Sequence, residues 1–96
     1  MIDLEKVFEI HENEYLKFDR VENPPNPRPD ISAFILLDWL MPKPGRCILS
    51  AAEHDEIFLD IDIDKLASIA TSEDILMLIR CGVRLDSATD SLAMFV

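Results

Sequence analysis

The sequence predicts an α+β fold: a small, mostly antiparallel sheet packed with two or three helices and ending in a C-terminal β-hairpin. Three stretches carry that reading. EIFLDIDI (56–63) alternates apolar and polar residues with period two, the pattern of a half-buried antiparallel strand. SEDILMLIRC (72–81) repeats its apolar residues at helical spacing behind Thr71 and Asp74, which form an approximate capping box. VRLDSATDSLAMFV (83–96) divides into two strand-like runs around the polar turn SATD. With 96 residues, the chain is expected to be a single domain over 1–96 with a modest core. Its 49% hydrophobic content is too high for a disordered tail.

Residues 4–11 leave helix and strand open, since Leu4, Val7, Phe8 and His11 have helical spacing but a neighbouring stretch alternates. That stretch, EYLKFDRV, predicts extended structure from Tyr15 to Val21. NPPNPRP (23–29) predicts an extended connector, because its prolines remove donors and fix φ. Asp30 or Ser32 is then placed to cap a helix over 31–41, stopped by Pro42 and the PKPG turn. This helix is apolar nearly all round, with Ser32 and Asp38 its polar exceptions. It must be sandwiched by sheet and helix or meet another chain, as in a homodimer built on 31–41.

CILSAA (47–52) reads as the next strand, followed by the run at 56–63. In that run Ile57, Leu59, Ile61 and Ile63 share one face. His54, Glu56, Phe58, Asp60 and Asp62 share the other. Asp64 is expected to cap a short helix, KLASIA, with Leu66 and Ile69 inward. In the following helix Ile75, Leu78 and Ile79 form the buried stripe, and Gly82 suits the position just past its end.

Charge narrows the partners. Nineteen Asp and Glu against nine Lys and Arg give −10 at neutral pH. Such a field repels nucleic-acid phosphates and anionic membranes, and it draws in basic proteins or cations. No apolar run is long enough to span a bilayer, and the N-terminal residues lack a signal-peptide pattern, so a cytoplasmic location is expected. Cys47 and Cys81 provide no disulfide framework, and both are expected to be buried thiols beside aliphatic residues.

Chemistry finds little support. There is no nucleophile elbow, and two glycines cannot form a phosphate cradle, so no catalytic residue and no cofactor are assigned and a non-enzyme is expected. On a strand, Asp60 and Asp62 would stand about 6.6 Å apart on one face, close enough to share a hard cation with His54 or Glu56. A metal-dependent site on 53–64 is therefore one alternative. Alternating carboxylates on a solvated strand are the ordinary one. Cys47, Cys81, His11 and His54 lack the paired spacing of zinc ligands. The leading expectation is a protein-binding face on which Asp55, Glu56, Asp60 and Asp62 supply charge. Phe58 anchors it, with Trp39 a second aromatic off the main stripe of its helix.

AEHDEIFLDIDIDKLA (52–67), LIRCGVRLDSATDSLAMFV (78–96) and the DISAFILLDWL helix resemble stretches of short, acidic, uncharacterised proteins of tailed bacteriophages and prophages. The resemblance implies a bacterial cytoplasm and an accessory phage gene, with no catalytic residue to carry over. By analogy of class it implies an inhibitor or modulator of a host nucleic-acid-handling complex of restriction, CRISPR or polymerase type, acting on that protein's basic surface.

Overall fold

The computed structural model describes residues 1–95 and contains one four-stranded sheet. Its strands are β1 (Leu49–Glu53), β2 (Glu56–Leu59), β3 (Arg84–Asp86) and β4 (Ser91–Phe95), ordered β1-β2-β4-β3 and antiparallel throughout. Alternation sets the faces. Ile57 and Leu59 of β2, Leu92 and Met94 of β4, and Leu85 of β3 turn toward the core, as period two requires. The expected C-terminal hairpin is present. The Asp86 carboxylate closes its turn, accepting from the Ala88 N–H at 3.2 Å and the Thr89 hydroxyl at 2.8 Å. The end of that predicted strand, Val96, lies outside the described residues.

Four helices pack with the sheet around the core, one or two more than expected: α1 (Leu4–Ile10), α2 (Pro29–Leu40), α3 (Ile63–Ile69) and α4 (Ser72–Arg80). Residues 4–11, open in the sequence, are mostly helical because Asp3 caps α1 by accepting from the Lys6 N–H. The expected extended run from Tyr15 to Val21 is corrected. Two 3₁₀ turns, Glu12–Glu14 and Phe18–Arg20, occupy the region, with Leu16 at φ 60 between them. Tyr15, Phe18 and Val21 all pack on the core, three residues apart. Period three is the 3₁₀ repeat, and over so short a stretch it passes for alternation.

The proline segment is bent rather than extended. Ser32 is the cause. Its buried hydroxyl donates to the Asn26 carbonyl at 2.6 Å and accepts from the Asn26 N–H at 3.1 Å, pinning the segment to α2. Ser32 is therefore not the cap of α2, and neither is Asp30. The helix starts with Pro29 in its first turn, where a missing N–H costs nothing. α2 buries Ala33, Leu36 and Leu37 and leaves Trp39 67% exposed.

α4 matches its prediction closely. Thr71 and Asp74 form the reciprocal capping box, and Ile75, Leu78 and Ile79 are buried. Past its end the Gly82 N–H donates to the Ile79 carbonyl and the Val83 N–H to the Leu78 carbonyl, a Schellman pattern that Gly82 permits at φ 97. In α3 the cap is Asp62, not Asp64, and Ile69 is 46% exposed; the inward residues are Leu66, Ala67 and Ala70. Cys81 is buried as expected and its thiol pKa is pushed up by burial to about 11, whereas Cys47 is exposed on the loop before β1.

Glu14 ties the N-terminal turns to α4. Arg80 donates to its Oε1 through Nε at 3.0 Å and Nη2 at 2.6 Å, and Arg20 reaches its Oε2. The Arg80 hydrogen bonds, aided by both positive charges and opposed by desolvation, hold the Glu14 carboxyl below its ordinary pKa.

Candidate protein-docking face

With Ile57 and Leu59 inward, Glu56 and Phe58 point to the other side of the sheet, together with Ala93 and Phe95 of β4 and Arg84 of β3. Ala51, Glu53 and Phe95 on this face are exposed. The register sets out its rows: Ala51, Phe58, Ala93 and Arg84 lie side by side across the four strands, and Glu53, Glu56 and Phe95 form the adjacent row. Phe58 is half-buried and stands apart from the core cluster; Phe95 is 54% exposed.

Arg84 organises the surface. From the edge strand its guanidinium crosses β4 to form an ion pair with Glu56 on β2, passing 4.4 Å from the centre of the Phe95 ring. Ala93, opposite Arg84 in the register, carries only a methyl group under the crossing and is fully buried. The pair has a second effect. Glu53 and Glu56 stand directly opposite across β1 and β2, an arrangement of like charges that weakens a ladder unless one is neutralised. Arg84 neutralises Glu56 and leaves Glu53 exposed.

The structure divides the residues that the sequence groups together. Asp55 forms the two-residue turn with His54, which takes φ 55, and it is exposed beside Glu56 and Phe58. Asp60 and Asp62 leave this set. The Ile61 N–H bonds back to the Leu59 carbonyl at 2.9 Å, a three-residue turn that ends β2 one residue before Asp60 would continue it. Asp60 instead accepts from Arg46 Nη2 at 2.8 Å, with Lys43 Nζ at 3.7 Å. Asp62 turns to the first N–H groups of α3, Asp64 and Lys65. Strand 56–63 is therefore a strand only to Leu59, and its expected row of free carboxylates is broken by three ion pairs and a helix cap. Trp39 belongs to the helical layer, beside an apolar cleft of about 160 Å³ lined by Leu36, Leu40, Met77 and Asp74.

The alternative metal site loses its geometry by the same route, since Asp60 is held by two cations and Asp62 by backbone donors. Among the described residues no three Asp, Glu, His or Cys side chains converge as a metal shell requires.

The chain matches none of the family models, curated proteins or solved structures compared with it.

Two members of the face, Arg84 and Phe95, lie outside the 52–67 stretch on which the sequence reading centres, and Glu53 lies within it without an assigned role. The signal for Phe95 is present in SLAMF, where inward Leu92 and Met94 force it outward. Arg84 carries no such signal, because the strand order that brings it near Glu56 is not written in local pattern.

Proposed function

We propose that the protein is a non-enzymatic binding module that docks on a basic surface of a partner protein through the outer face of its sheet. Phe95 and Phe58 supply the apolar contact, and exposed Glu53 and Asp55 supply the acidic rim that steers a cationic partner. The observation that carries this reading is a partly exposed sheet face on which two phenylalanines stand beside carboxylates in no ion pair among the described residues, on a chain of net charge −10. Nucleic-acid-handling proteins present basic surfaces of the required kind. The resemblance to short phage proteins favours a host complex of restriction, CRISPR or polymerase type as the target.

Affinity capture from a bacterial lysate, run in parallel with wild type, Phe95→Ala and Glu53→Lys, tests this. One basic protein should be retained by wild type, released by raised salt and lost with either variant. Equal retention by all three would reject the sheet face as the docking surface.

Exposed Trp39 and its apolar cleft favour a second reading, a homodimer through α2. Sedimentation equilibrium separates the two: a dimer dissociated by Trp39→Ala supports the second, and a monomer at high concentration removes it.

A further inference from the structure

A groove of about 380 Å³ opens at the edge of the sheet, between α1 and β3. It shares Arg84 with the outer sheet face and none of that face's other residues. Phe8 and Tyr15 line it with Ile79, Val83 and Leu85, so its inner surface is aromatic and aliphatic. Burial raises the Tyr15 pKa, and the Arg84 charge opposes the shift more weakly. Along one wall stand Glu5, Glu9 and Glu12, whose spacings of four and three keep them on one side of α1 and the turn that follows. All three are exposed, and none is in an ion pair among the described residues. Arg84 also borders the groove, but its charge is committed to Glu56. The opposite wall is an open strand edge: among the described residues Arg84, Leu85 and Asp86 make no backbone hydrogen bond beyond the ladder to β4.

We propose that this groove binds a short extended segment of a partner protein in which lysine or arginine alternates with apolar residues. A strand laid beside β3 meets unpaired backbone groups. Alternate side chains of such a strand turn to the Leu85 side, where a lysine or arginine lays its aliphatic stem on the Phe8–Tyr15–Leu85 surface and brings its charge to the α1 carboxylates, while the apolar residues between them face the other side of the sheet. The volume lies within the roughly 300–1,000 Å³ of ordinary ligand pockets. Charge selects the occupant: an acidic segment would meet three unpaired carboxylates.

The test is a titration of the whole protein, followed by amide NMR, with a short acetylated and amidated peptide alternating lysine with valine. A glutamate-for-lysine version and free spermidine are run beside it. The expected result is saturable shifts confined to residues 5–15 and 79–87, with no response to the acidic peptide. Glu9→Lys combined with Glu12→Lys should weaken binding about tenfold, whereas Asp30→Lys with Glu73→Lys, an equal charge change elsewhere, should alter it less than about twofold. Should the reversal disturb the fold, Glu9→Gln with Glu12→Gln makes the same comparison against Asp30→Asn with Glu73→Gln. Shifts spread over the whole acidic surface, equal weakening by both pairs, or spermidine binding at the same residues as tightly as the basic peptide would each overturn the proposal.

Discussion

Gly82 offers the sharpest test of how the end of α4 is built. The residue sits at φ 97, where a side chain costs about 1–2 kcal/mol. An added Cβ would also stand 2.8 Å from Leu16 Cδ2, with Leu16 Cγ at 3.5 Å and Met94 Cε at 3.8 Å. Leu16 is exposed, and its methyl can swing away for a further cost of about 0.5–1.5 kcal/mol. Against these, alanine restricts the unfolded chain and returns about 0.4–1 kcal/mol. The net expectation for Gly82→Ala is a loss of about 0.5–3 kcal/mol, a fall in Tm of roughly 2–24 °C for a domain of this size. Urea unfolding followed by far-UV circular dichroism measures it. A Leu16→Ala background separates the two causes, because there the steric part disappears and the backbone part stays. Gly82→Asn should cost less than Gly82→Ala, since asparagine tolerates positive φ better. An unchanged midpoint for Gly82→Ala would refute the reasoning. A cost abolished by Leu16→Ala would show that crowding, not backbone strain, governs the position.

Other expectations follow from the core and the ion pairs. Leu66→Ala, at a fully buried site, should cost about 2–5 kcal/mol in the same assay. A thiol reagent at mildly alkaline pH should modify one cysteine of the native chain, Cys47, and reach Cys81 only on unfolding, because burial shields that thiol and holds its pKa at about 11. Early loss of both thiols would contradict the packing of Cys81. The folded pKa of Glu14 is depressed, so its contribution to stability is complete above the ordinary carboxylate range and disappears as pH falls through the folded value. The stability difference between wild type and Glu14→Gln should therefore shrink with acidification, as unfolding curves at a series of pH values would reveal.

The parts legible in the sequence are those fixed by local pattern. The capping box before α4, its buried stripe, the C-terminal hairpin and the inward row Ile57, Leu59, Ile61 and Ile63 all read directly, because each depends on periodicity or on a cap within four residues. Residues 12–21 misled, because 3₁₀ period three and strand period two give similar patterns over so few positions. The end of β2 was hidden for another reason. Ile61 and Ile63 keep facing the core after the strand has stopped, so burial continues to alternate across a turn and into α3. The partners of Glu56 and Asp60 depend on residues 28 and 14 positions away, and no local pattern encodes them.

That distribution of charge separates folding from binding. The ion pairs use Arg20, Lys43, Arg46, Arg80 and Arg84 on three carboxylates, Glu14, Asp60 and Glu56. Five of nine cations are thus engaged in ion pairs within the chain, and sixteen of the nineteen acidic side chains are in no ion pair among the described residues. Unscreened, these repel one another and destabilise the compact state. Added salt shortens the range of that repulsion to about 8 Å at 0.15 M. Exposed pairs such as Asp60 with Arg46 lose little by comparison, being worth about 0–1 kcal/mol to begin with. Raising salt from low to physiological levels should therefore raise Tm while it weakens capture of a basic partner. The opposite signs make thermal melts the control for the docking experiment: salt-driven release with an unchanged or higher Tm is loss of attraction between surfaces. A melt that falls with salt would mean that the internal pairs outweigh the repulsion and that the acidic surface is not the dominant electrostatic feature of the chain.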